Sequence, residues 1–100
     1  MIDFGRIEGF EWDEGNRRKS FEKHDVSQGE AEQVFFNDPL LVLHDVRHSL
    51  MELRLHALGR TDAGRLLHIT FTLRDEARLI RVISARAMHR KERARYEQEP

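Results

Sequence analysis

The stretch "MELRLHALGRTDAGRLLHITFTLR", residues 51–74, decides the fold. Successive side chains of a strand point to opposite faces, so hydrophobicity with period two marks a strand with one buried face. Leu53, Leu55 and Ala57 point one way, while Glu52, Arg54 and His56 point the other. After "RTDAGR" the alternation resumes, with Leu67, Ile69, Phe71 and Leu73 toward a core and His68, Thr70 and Thr72 opposite. The intervening residues read as a hairpin turn in which Gly64 supplies a positive-φ position. Two strands joined this tightly must be antiparallel neighbours.

Downstream, "DEA" (75–77) reads as the next turn and "RLIRVISAR" (78–86) as the last strand, with a helix from about Ala87 to Gln98. Upstream, "GFEWD" (9–13) predicts a short strand handing over to a helix, with Asp13 as N-cap. That helix, "EGNRRKSFEKH", has few apolar positions and should be mostly exposed, pinned by Phe21. Ser27 and Glu30 form a capping box, flanked by Val26 and Ala31 as its hydrophobic staple. The second helix should run to about Asn37, burying Ala31, Val34 and Phe35, and stop before Pro39. Leu40–Leu43 gives a short apolar strand before the polar turn. The predicted order is β-α-α-β-β-β-β-α: an α+β fold, a small antiparallel sheet with helices packed on one face.

The 100 residues suit a single domain, with residues 1–9 as an N-terminal extension and 99–100 as a tail. No apolar stretch approaches the ~20 residues that span a bilayer. Neither a membrane partner nor a secretory leader is therefore expected. Without cysteine there are no disulfides and no thiolate–metal sites, which fits a cytoplasmic protein. The net charge of −1 hides an asymmetry: residues 1–59 carry 7 Lys/Arg against 12 Asp/Glu, and residues 60–100 carry 10 against 6. The C-terminal part is thus compatible with a surface for phosphates or for an acidic partner.

The polar face of the hairpin sets Glu52, Arg54 and His56 beside His68, Thr70 and Thr72. On the last strand, strict alternation puts Ser84 and Arg86 on one face and Arg81 on the other, so only one arginine should line the polar side; Arg86 is expected there. Metal-free RNA cleavage needs a base for the ribose 2′-hydroxyl, cations for the phosphate and an acid for the leaving oxygen. Histidine suits the proton transfers near neutral pH, and arginine holds phosphate with a planar fork. A sheet with one face in water produces the same alternation, so both readings stand at this level. Trp12 could stack on a base or fill the core edge; Lys19 and Lys23 could bind phosphate or be solvated; Tyr96 could donate a proton or pack on the sheet. "HDVRH" sets His44 and His48 four apart, but at a strand end rather than on a helix, so no metal ligand set and no cofactor is expected.

The ordered set "FEWDEGNRRKSFEKHDVS", "AEQVFFNDP", "DVRHS", "ELRLHALGRTDAGRLLHITFTLR" and "IRVISARAMHRKERARYE" resembles the BrnT family of type II toxins from Phe10 to about Gln98. The most specific pieces are F-E-W-D at 10–13, K-H at 23–24, G-R-T at 59–61, I-S-A-R at 83–86 and E-R-x-x-Y at 92–96. The resemblance implies a RelE-like fold and a metal-independent ribonuclease that halts translation. It also implies a BrnA-like ribbon-helix-helix antitoxin that neutralises the toxin and makes most of the DNA contact in an autoregulatory complex. On that reading Arg54 and Arg86 would clamp the scissile phosphate, with Arg81 in reserve. Glu52 or His56 would be the base, His68 or Tyr96 the acid, and Trp12, Lys19 and Lys23 would join Arg81 in binding RNA. Three positions depart from the family pattern: Asn16 stands where a lysine is usual, Ser20 where asparagine is common and Asp25 where glycine follows the histidine. The alternative is a catalytically weak toxin-fold module that binds an antitoxin or nucleic acid.

Overall fold

A computed structural model describes residues 3–47 and 52–98. After a single 3-10 turn, Phe4–Arg6, the elements are β1 (Gly9–Trp12), α1 (Glu14–His24), α2 (Gln28–Gln33) with a 3-10 turn Val34–Phe36, β2 (Leu41–His44), β3 (Leu55–Arg60), β4 (Leu66–Arg74), β5 (Leu79–Ala87) and α3 (Arg90–Glu97). The expected order holds. The sheet runs β1-β5-β4-β3-β2. Strands β2 to β5 are antiparallel, as the alternation required, and β1 adds to β5 in parallel, so the sheet is mixed.

Local chemistry sets the boundaries. The Asp13 carboxylate accepts from Gly15 N–H at 2.8 Å and Asn16 N–H at 3.2 Å, starting α1. The helix stops where Asp25 takes a left-handed conformation, φ 55°. The Ser27–Glu30 capping box forms in full. In the β3–β4 turn Gly64 has φ 87° and its N–H donates to the Thr61 carbonyl at 2.9 Å, the conformation that glycine tolerates without a Cβ penalty.

One face of the sheet carries the main core. Leu55, Ala57, Leu67, Ile69, Phe71, Ile80, Val82 and Ala85 meet Val26, Ala31 and Val34 from the α1–α2 side, with Phe10, Trp12 and Phe35 packed against them. Phe35 stands edge-on to Phe71 at 5.1 Å. Each such large side chain contributes roughly 1.5–3 kcal/mol on burial.

Three expectations are corrected. The helices do not share a face: α3 lies on the opposite one, where Met88 and Tyr96 cover Leu58 in a second small core beside Leu41, Leu43 and Leu66. β3 begins at Leu55, with residues 52–54 outside the strand and Met51 outside the described residues, and β5 runs on to Ala87, so α3 starts at Arg90. The third correction bears on the site. Thr70 pairs with Ser84 but Phe71 pairs with Val82, leaving Ile83 without a partner in a β-bulge. One extra residue reverses the parity of the strand. Ile80 and Val82 therefore face the main core together with Ala85, while Arg81, Ser84 and Arg86 all lie on the polar face.

Candidate active site

The register lays three rows across the polar face. His68 pairs with Arg86, Thr70 lies between His56 and Ser84, and Thr72 pairs with Arg81. Asp45 N–H donates to the Arg54 carbonyl at 2.9 Å, extending the β2–β3 ladder one step past the His44–Leu55 pair. Asp45 and Arg54 thereby join the face that carries His56.

His56 is held at both ring nitrogens: Nε2 lies 3.0 Å from Asp45 Oδ2 and Nδ1 lies 3.0 Å from Thr70 Oγ1. A carboxylate only accepts, so Nε2 carries the hydrogen and the Nδ1 lone pair receives the Thr70 hydroxyl. The result is a hydroxyl–imidazole–carboxylate line in which the carboxylate fixes the tautomer and the orientation of the ring. Its side chain remains 25% exposed, enough to be reached from solvent.

The His68 ring lies 4.6 Å from that of His56, tilted by 42°. Its Nδ1 is buried and makes no hydrogen bond among the described residues. Burial, reinforced by the Arg86 charge and opposed by Glu92, holds its pKa down to about 4, so it is neutral near pH 7. Beside it Arg86 meets Glu92 of α3 in a fork-to-fork pair, Nη1 to Oε1 and Nη2 to Oε2 at 2.9 Å each. Burial raises the Glu92 carboxyl, but hydrogen bonds from Arg86 and the His89 N–H outweigh it and hold the pKa at about 2. Glu92 Oε2 is also 3.7 Å from His68 Nε2.

Of the residues that the sequence pointed to, His56, His68 and Arg86 come together here, and Arg54 stands two residues before His56, opposite Asp45. Arg81 shares the face but stands about 13 Å along the sheet from Arg86, because their β4 partners, Thr72 and His68, are offset by four positions. It is held by Glu11 at 3.1 Å and Asp13 at 3.7 Å. Glu52 pairs with Arg74 at 3.0 Å, about 20 Å along β4 from His68, and does not join the cluster. Tyr96 is buried and its hydroxyl donates to the Pro39 carbonyl at 2.6 Å, while burial pushes its pKa up; it packs rather than faces the histidines. Trp12 lies on the main-core side with its Nε1–H on Glu32 at 2.8 Å, and Lys19 and Lys23 are exposed on α1, which packs against that same side. Asp45 and Glu92 are the additions. Both stood in quoted motifs, D-V-R-H-S and E-R-x-x-Y, but only the tertiary fold shows which histidine and arginine they hold.

His44 lies at the end of β2, and His48 falls outside the described residues. Among the described residues no three His, Cys, Asp or Glu side chains are grouped to hold a metal ion, and no helix is long and apolar enough to cross a membrane.

The model of one protein family, the ribonuclease toxin BrnT of type II toxin–antitoxin systems, matches residues 12–92. Among solved structures, the crystal structure of the Brucella abortus ribonuclease toxin BrnT aligns with a TM-score of 0.61 at 20% identity, covering 82% of this chain and 97% of that one. None of the curated proteins matches. With the family model spanning most of the chain, and the same fold in a solved toxin, this chain belongs to the BrnT family of ribonuclease toxins of type II toxin–antitoxin systems.

Proposed function

We propose that the chain cleaves RNA by intramolecular attack of a ribose 2′-hydroxyl, with its own side chains supplying base and cation and no metal ion required. The observation that carries this reading is the Asp45–His56–Thr70 line lying beside Arg86 on one face. The 2′-hydroxyl gives its proton to Thr70 Oγ1 as Thr70 passes its own to His56 Nδ1, and Asp45 stabilises the resulting imidazolium. The 2′-oxygen bonds to phosphorus, the bond to the 5′-oxygen breaks, and the leaving oxygen takes a proton from water, whose remaining hydroxide takes up the proton held on His56 and restores the neutral imidazole. The products are a 2′,3′-cyclic phosphate and a 5′-hydroxyl. Arg86 holds the scissile phosphate, and Arg54, on the other side of His56, steadies the backbone. Arg81 lies too far along the sheet for the same phosphate and reaches a flanking one. The neutral, buried His68 walls the pocket and fixes the His56 ring rather than serving as the acid. Lys19, Lys23 and Trp12, on the far side of the sheet, belong to any longer RNA path around the edge.

The family supports a protein antitoxin as the partner, and the resemblance in the motifs supports a BrnA-like ribbon-helix-helix protein through which the complex contacts DNA and represses its own operon. Arrest of translation in the cytoplasm is the corresponding cellular role. Cleavage of total RNA by the purified chain in EDTA tests the chemistry. His56→Ala and Arg86→Ala are each expected to lose on the order of 10²–10³ in rate. Losses below about threefold in both, or cleavage abolished by EDTA alone, would discard this site. Intact RNA alongside tight antitoxin binding would favour the weak binding module, a reading supported by Asn16 at the family's lysine position.

A further inference from the structure

Glu92 places a carboxylate on the very guanidinium assigned to phosphate. By charge alone this should hinder RNA, so the detail of the pairing matters. Arg86 has five N–H donors. Nη1 spends its two on Glu92 Oε1 at 2.9 Å and the Ala87 carbonyl at 3.0 Å, and Nη2 spends one on Glu92 Oε2 at 2.9 Å. The second Nη2 hydrogen and the Nε hydrogen bond nothing among the described residues. These two lie side by side on one edge of the plane, a fork spaced for two phosphate oxygens. The carboxylate itself is immobilised, because Oε1 also accepts the His89 N–H at 2.8 Å as part of the capping box that starts α3.

We infer that Glu92 is a positioning residue of the ribonuclease site: it grips Arg86 end-on and so presents the Nε–Nη2 edge to an RNA phosphate. The inference rests on the reading of Arg86 as the phosphate contact. It gives the E-R-x-x-Y motif a function. The helix that carries it docks on the catalytic face and sets the direction of the cation there. A freely rotating arginine pays the cost of ordering when RNA binds, whereas one already gripped does not.

The test is the affinity of the full chain for a mixed-sequence 2′-O-methyl RNA oligonucleotide, which lacks the attacking hydroxyl, measured by fluorescence anisotropy across a salt series. Glu92→Gln removes a negative charge but leaves an acceptor for the capping box, so the helix start survives; thermal melts confirm the fold. Positioning predicts that Glu92→Gln weakens binding about tenfold, the cost of ordering one or two long side chains. Simple charge predicts the opposite sign. Glu92→Asp, which keeps the charge and withdraws the carboxylate by one methylene, should weaken binding as well. Arg86→Ala should weaken binding and reduce the slope of log K against log salt by about 0.7, one phosphate contact on a single strand. In the Arg86→Ala background Glu92→Gln should cause no further loss, because its effect passes through the arginine. Tighter or unchanged binding by Glu92→Gln, or an equal loss in both backgrounds, overturns the positioning role while leaving Arg86 in place. An Arg86→Ala chain that binds with wild-type affinity and slope, or a wild-type chain that does not bind, overturns the phosphate reading and this inference with it.

Discussion

At the scale of single residues, the site turns on how His56 is held. Asp45 fixes the hydrogen on Nε2 and so leaves the lone pair on the side of Thr70. Asp45→Asn keeps the size but can donate to Nε2, which reverses the tautomer and turns the lone pair away from Thr70. Thr70→Val removes the hydroxyl at nearly constant volume. Both should lower cleavage by roughly 10²–10³, no more than the loss of His56 itself, with little change in RNA affinity. Normal turnover by Thr70→Val would show that the ribose hydroxyl reaches His56 directly. His56, His68 and Thr70 could be assigned to one face from the sequence because alternation along a hairpin is a local property. Asp45 and Glu92 could not be tied to their partners, since each reaches its partner across the fold from another element.

At the scale of elements, the bulge at Ile83 is what the sequence hid. Nothing in "LIRVISAR" marks an extra residue, and strict alternation puts Arg81 and Arg86 on opposite faces. The structure resolves the conflict by reversing parity between Val82 and Ser84, which buries Val82 and Ala85 while both arginines stay on the polar side. The same element scale explains Gly59. A Cβ there would stand 2.6 Å from Val34 Cγ1, a buried branched side chain in the turn after α2. Gly59 is therefore a point of close approach between β3 and that turn. Gly59→Ala should destabilise the fold by about 1–3 kcal/mol, the cost of overpacking a filled core. Chemical denaturation measures it directly; an unchanged midpoint would mean that Val34 moves aside freely.

At the scale of the molecule, a sheet covered on both faces divides its labour. The main core with α1 and α2 supplies most of the buried apolar area, while the α3 side mixes a small apolar patch with charged and titratable groups. That division makes the fold sensitive to acid. His68 sits among His56, Arg86 and Glu92 with a folded pKa of about 4 against an ordinary 6.5. Between those values the unfolded chain binds the proton and the folded chain does not, so stability falls as pH drops from about 6.5 to about 4. Glu92 has the folded value about 2 against 4.5. Its contribution is complete above about 4.5 and is lost as pH falls toward about 2, by the same linkage. The two windows follow one another in the same direction. Together they predict a midpoint that is flat near neutrality and declines steadily below about pH 6.5. His68→Gln should flatten the upper window and leave the lower one. Melts of both chains from pH 7 to pH 3 separate the two steps, and a His68→Gln curve parallel to wild type between pH 6.5 and pH 4 would remove His68 as the cause.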